Sequence, residues 1–183
     1  MSNFALSSEQ LENNTHRLRA IEPTDVPALL RLESDASMWW LGATITPYSE
    51  ATMIKYATGG HDLHRDKQLR LMLDWKTDNV WITVGAMDLY EFDASNMRAG
   101  VGVAIEADAR RKGHAAMGLE LLKKYGLETL GLHQLYAEVP CSHNPSMKLF
   151  ERCGFTATEQ RKDWLKVNGE WKDVVLFQTF SKY

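Results

Sequence analysis

The stretch VGVAIEADARRKGHAA, Val101–Ala116, decides how this chain is read. A strand runs into a loop holding Arg110, Arg111, Lys112 and Gly113, and a helix begins there. From Gly113 onward, Met117, Leu121, Leu122, Tyr125 and Leu130 fit one amphipathic helix. The first four N–H groups of such a helix have no internal partner, and the helix dipole adds partial positive charge at that end. Gly113 lets the backbone come close to whatever binds. A turn of this kind is a cradle for a pyrophosphate. Composition alone also allows a plain solvated basic face.

Outward from this stretch, strands dominate the middle of the chain. Gln68–Trp75 alternates apolar and polar residues, Thr77-Asp78-Asn79 is turn chemistry, and Val80–Phe92 and Met97–Ile105 are strand-like. Leu135–Val139 is a short buried strand closed by Pro140, and Ser146–Arg152 a short helix stopped by Gly154. Phe155–Lys166 and Trp171–Phe180 flank Asn168-Gly169, a hairpin signal. Toward the start, His16–Ile21 reads as a strand and Thr24 or Asp25 as a helix start. Ser37–Pro47 is an aromatic loop, and Ser49 caps a helix ending at Gly59-Gly60. The predicted order is β-α-α-β-β-β-α-β-α-β-β. Met97–Val139 is a β-α-β unit, so at least one parallel strand pair is expected.

The 183 residues fit one domain, residues 16–183, behind a loosely ordered polar arm, residues 1–15. Apolar residues make up 44% and charged residues 25%, which excludes wholesale disorder. A net charge of −3 argues against a dedicated nucleic-acid binder. No apolar run reaches the ~18 residues of a membrane span, and the polar start with Glu9 and Glu12 is no secretory signal. Two cysteines, Cys141 and Cys153, make neither a disulfide scaffold nor a zinc site, so a cytoplasmic protein without metal is expected.

Four ordered motifs carry a resemblance. Arg110-Arg111-Lys112-Gly113-His114-Ala115 resembles the Q/R-x-x-G-x-G/A acyl-CoA loop of the GNAT acetyltransferase superfamily. Ser146–Phe155 is similar to its helix followed by Gly-Phe, Leu18–Asp25 to its opening strand and helix, and Asn168–Val174 to one branch of it. That branch includes the spermidine/spermine and the ribosomal-protein N-terminal acetyltransferases. The resemblance implies an α/β (α+β) fold: a mixed, mostly antiparallel sheet, splayed between its fourth and fifth strands and flanked by helices. It implies acetyl-CoA as cofactor, a primary amine as acceptor, and a homodimer.

The resemblance also assigns residues. Backbone groups of Val103, Ala104 and Ile105, on a bulged strand, would meet the pantetheine arm, and Arg110 to Ala115, including Lys112, Gly113 and His114, would hold the pyrophosphate. The family often carries a tyrosine that protonates the departing thiolate. Phe150 stands there, without a proton to give. Where the family often has a cofactor-contacting Asn, this chain has His143, with Asn144 beside it and Ser146 following. Substitute donors are Tyr136, Cys141 and His143. Asp88, on the strand beside the cofactor strand, is expected to bind the acceptor ammonium and take its proton; a structural Asp paired with an Arg is the alternative. Glu33, Asp35, Trp39, Trp40, Tyr48 and Glu50 fall in the region relatives use for the acceptor. The uncharged Thr44-Ile45-Thr46 ahead of Pro47-Tyr48 weakens a polyamine reading. Small diamines or polyamines stand slightly ahead of protein N-termini. A non-catalytic acyl-CoA binder, suggested by Phe150, and a nucleic-acid module using Arg110–Lys112 are the competing classes.

Overall fold

The computed structural model describes residues 11–41 and 47–182. Seven strands form one sheet: β1 (His16–Arg19), β2 (Leu69–Thr77), β3 (Val80–Asp93), β4 (Arg98–Ile105), β5 (Gln134–Pro140), β6 (Thr156–Val167) and β7 (Glu170–Phe180). Their order across the sheet is β1-β2-β3-β4-β5-β7-β6. All neighbours are antiparallel except β4 and β5, which run parallel. The helices are α1 (Val26–Glu33), α2 (Glu50–Thr58), α3 (Leu63–Asp66), α4 (His114–Lys124) and α5 (Asn144–Arg152).

Local chemistry accounts for most boundaries. Asp78 and Asn79 take φ of 48° and 59°, and Asn168 and Gly169 take 50° and 87°, the left-handed pairs that two-residue hairpins require. Ser49 caps α2 by accepting from the Thr52 N–H at 3.2 Å. The Leu18–Asp25 motif has a clear structural purpose. Arg19 grips Asp25 with two bonds of 2.6 and 2.7 Å and also donates to the buried Asp74, tying β1 to the turn that starts α1.

The main core lies between the sheet and α4 with α5. Leu73, Met87, Leu89, Leu119, Leu122, Leu135 and Phe177 are fully buried there. Burying each such side chain stabilises the fold by about 1.5–3 kcal/mol. Gly118 lets α4 seat on the sheet, since a Cβ there would meet Met87 Cε at 2.2 Å. A smaller cluster on the opposite face joins Leu29 of α1 and Met53 of α2 to Met72 and Ala86.

Four expectations change. Met117 faces solvent, because the buried stripe of α4 runs through Gly118, Leu119, Leu121 and Leu122. Leu130 lies beyond the helix, which loosens into a π turn over Tyr125–Thr129. The short α3, capped by Asp62, escaped a reading that looks for apolar periodicity. Between β3 and β4 the register irregularity falls on β3, where Glu91 takes φ +48°, and not on β4. The last arm residues fold back on β1, with Leu11 O accepting from Leu18 N–H at 2.7 Å. Arm residues 1–10 and Thr44–Thr46 lie outside the described residues.

Candidate active site

β4 and β5 stay paired for three residues only: Arg98 with Gln134, Ala99 with Leu135, and Gly100 with Tyr136. Beyond that apex the two strands part, leaving the inner edges of Val101–Ile105 and Ala137–Pro140 facing a slot. Its β4 wall is five residues long, about 16 Å at ~3.3 Å per residue. Val103 and Ala104 are half-buried along it, and Ile105 is buried at its far end.

The loop beyond that end bends through two left-handed residues, Arg111 at φ 63° and Gly113 at φ 90°. Gly113 is the N-cap of α4. Among the described residues, the backbone N–H groups of Arg111, Lys112, Gly113, His114 and Ala115 meet no acceptor within the protein. A Cβ at Gly113 would meet nothing within 4 Å, so the cradle is open to solvent. A turn of free amides, an eleven-residue helix aimed from its N-terminus, and a slot leading inward suit an anionic diphosphate on a long arm. The residues present fit acyl-CoA.

Side chains at the mouth of the slot depart from the sequence reading. Arg110 turns away from the cradle: its Nε donates to Ile105 O at 3.0 Å and its Nη2 bonds Asp35. It ties the α1–α2 loop to the end of β4. Trp39 anchors that loop by donating from Nε1 to Glu33 O at 2.7 Å. The Trp40 ring meets the His143 ring edge-on, with centroids 5.5 Å apart. His143 shares a hydrogen bond between Nδ1 and Ser146 Oγ at 2.8 Å, at the start of α5 beside the exposed Asn144. Burial, with Arg110 nearby, lowers its pKa, so the ring is neutral at pH 7. The His114 side chain is also diverted, into the core. Its Nδ1 lies 2.8 Å from His16 Nε2, and its ring packs on Trp75. Only its main chain faces the cradle.

On the face carrying α1 and α2, a buried ion cluster lies beside the slot. Arg70 donates to Asp88 Oδ1 at 2.8 Å and to Oδ2 at 3.0 Å, and a third donor reaches Glu33. Burial works against the Arg70 charge, but Asp88 and Glu33 outweigh it and hold its pKa above the ordinary value. Asp88 pairs across β3 and β4 with Gly102, where a Cβ would stand 3.3 Å from Oδ2. Both Asp88 oxygens are thus engaged by Arg70. Tyr56 lies close enough to the cluster to feel its charges, though burial is the main cause of its raised pKa. Tyr48 packs against the same helix pair.

At the apex, the Tyr90 ring lies over Gly100, so close that a Cβ there would be 2.3 Å from Cε2. The Glu138 amide faces the Tyr90 hydroxyl from across the slot. Tyr136 donates to Glu91 Oε2 at 2.6 Å, which engages its proton. Phe150 is buried at 4% exposure, stacked among Phe155 and Phe177, and holds α5 to the core. Cys141 is half-buried where β5 ends, its N–H donating to Asp173 O at 2.9 Å. Burial pushes the Cys153 thiol up to about 11, which leaves it protonated. Sequence reading missed Arg70, Tyr56 and Tyr90, and the pairing of Arg110 with Asp35. Only the alternation of β2 and β3 hinted at a shared face.

A sheet opened beside a free-amide loop and helix N-terminus defines an acyl-CoA-dependent transferase. The chain belongs to the GNAT acetyltransferase family: the family model for the acetyltransferase (GNAT) domain matches residues 16–156. GNAT acetyltransferases use acetyl-CoA. An uncharacterized N-acetyltransferase p20 from Bacillus licheniformis is 26% identical over 180 residues, spanning 95% of this chain and 97% of that protein. Spermidine N-acetyltransferase from Vibrio cholerae, solved with CoA and spermine, superposes with a TM-score of 0.80 at 21% identity, covering 92% and 97% of the two chains. RimL, a ribosomal L7/L12 alpha-N-protein acetyltransferase solved with CoA, gives 0.78 at 19% identity, covering 92% and 96%. At those identities the structural likeness speaks for the fold alone. No helix among the described residues is long and apolar enough to cross a membrane.

Proposed function

We propose that this protein transfers the acetyl group of acetyl-CoA to a primary amine carried by a small diamine or polyamine, by direct attack within a ternary complex. The observation that supports this reading is the ion cluster beside the slot. Two carboxylates, Glu33 and Asp88, share the single cation of Arg70, which leaves one negative charge in excess on a half-buried wall. Tyr56 stands against the cluster, and Tyr48 packs on the same helix pair. An alkyl ammonium is the complement of that surface.

Acetyl-CoA supplies the activated acyl group. The amides of Arg111 to Ala115 bind its pyrophosphate, and the β4 edge at Val103–Ile105 lines the path of its arm. Trp40 and His143 close over the mouth of the slot from either side. The excess charge of Glu33 and Asp88 positions the ammonium beside Gly102. An ammonium with a pKa near ~10 has to lose a proton before attack. Both oxygens of Asp88 accept from Arg70, so Asp88 orients the amine and the proton leaves by another route.

The test is thiol release from acetyl-CoA with putrescine, spermidine, spermine, lysine, and peptides with free Ser or Ala N-termini. Turnover with the di- and polyamines, and loss of it in Asp88→Asn with little change in fold, supports the proposal. Turnover with the peptides alone assigns the cluster to a protein N-terminus. Saturable acetyl-CoA binding with no turnover of any amine would overturn the reading.

A further inference from the structure

We propose that Tyr90 is a catalytic residue: its ring wedges open the apex of the slot, and its hydroxyl protonates the departing CoA sulfur in place of the missing phenol at Phe150. The inference rests on the acetyltransferase reading above. Three observations carry it.

The first is position. β4 and β5 pair as far as Gly100 with Tyr136 and no further. Tyr90 pairs with Gly100 from β3, and its ring covers that glycine so tightly that no side chain fits there. A ring at this place occupies the point where the two strands begin to diverge. The second is reach. The Tyr90 oxygen faces the N–H of Glu138, a residue of β5 past the last pair with β4. The hydroxyl therefore reaches the inner edge of β5, beside the slot. The third is the state of the competing donors. Tyr136 gives its proton to Glu91, and Phe150 has none. His143 stands at the opposite end of the slot, near Arg110 and Trp40. An arm whose pyrophosphate lies on the loop at Arg111–Ala115 enters at that end and brings its reactive end inward, toward the apex.

The step balances without an added reactant. The amine nitrogen forms a bond to the acetyl carbon, and the carbon–sulfur bond breaks. Sulfur takes the Tyr90 proton, and the Tyr90 oxygen takes the proton that nitrogen releases. Burial, with Glu138 and Glu91 nearby, pushes the Tyr90 pKa up to about 12, so the phenol is protonated between turnovers.

Tyr90→Phe keeps the wedge and removes the proton. With a responsive amine, kcat is expected to fall about 10²-fold or more, with KM for acetyl-CoA within a few-fold and the melting temperature within a few degrees. A second readout needs no acceptor: the thiol of CoA bound to the intact protein, titrated by thiolate absorbance. A donor aimed at the sulfur stabilises the thiolate, so the bound thiol should ionise about one pH unit higher in Tyr90→Phe than in the wild type. If the wild type acetylates no amine, the proposed function fails, and the thiol titration still decides the role of Tyr90. An unchanged thiol titration, or kcat within twofold of wild type, overturns the inference.

Discussion

Replacing Arg70 with methionine tests whether the ion cluster is held by one cation. The Arg70 side chain is 15% exposed, that of Asp88 11% and that of Glu33 23%. Methionine matches the length of the arginine stem and removes the charge, leaving two carboxylates facing each other in a half-buried site. Removing one partner of a buried ion pair costs about 3–5 kcal/mol. For a domain of this size, each kcal/mol lowers Tm by about 2–4 °C, so the expected loss is roughly 6–20 °C. Calorimetry on the purified variant measures it. The double variant Arg70→Met with Asp88→Leu sharpens the test. Replacing both partners by apolar groups is often close to neutral, and Glu33 can turn toward water, so most of the lost Tm should return. A single variant within 3 °C of wild type, or a double variant no better than the single, would show that Arg70 does not hold the cluster together.

Three further outcomes are expected. Gly102→Ala brings a Cβ to 3.1 Å from Asp88 Cβ, and Asp88 is pinned by Arg70. Overpacking of about 1–3 kcal/mol should lower Tm and raise the amine KM, with acetyl-CoA affinity unchanged; steady-state kinetics in both substrates separates these effects. Gly113→Ala meets no side chain but forces alanine to φ near +90°, which costs about 1–2 kcal/mol. Calorimetric titration should show weaker CoA binding, and unaltered affinity would argue against the cradle. His16 and His114 are both lowered below 6.5, mainly by burial, with each further lowered by a neighbouring positive group, His114 and Lys112 respectively. The unfolded chain then binds more protons, so stability is full above about pH 6.5 and declines as pH falls below it. Melting curves from pH 7.5 to 5 should show this decline, and His16→Gln should flatten it.

The parts of the site made from contiguous chain were readable directly. The cradle needs only a glycine able to take φ +90° and a helix beginning beside it, both visible at Gly113 and His114. The hairpins at Asp78-Asn79 and Asn168-Gly169 were equally local. Other features depend on residues far apart in sequence. Arg70 reaches Glu33 across 37 positions, and His16 meets His114 across 98. Arg110 looked like a phosphate ligand because its neighbours are basic, yet it pairs with Asp35, 75 positions away. Met117 looked buried because a one-residue shift in the helical stripe is invisible until the sheet beneath selects the face.

Local sequence carries most of the elements in their order, the glycine turn ahead of α4 and the family resemblance, because each follows from backbone propensity and from hydrogen-bond groups within a few residues of one another. The use of the side chains follows only from the assembled fold. The β3–β4 register set Tyr90 over Gly100 and Asp88 beside Gly102, and the β2–β3 register put Arg70 against Asp88. Register is a collective property of strand pairing and core packing, since a slip of one residue turns every side chain to the opposite face. The charges beside the slot and the phenol at its apex come together only once the whole sheet is assembled.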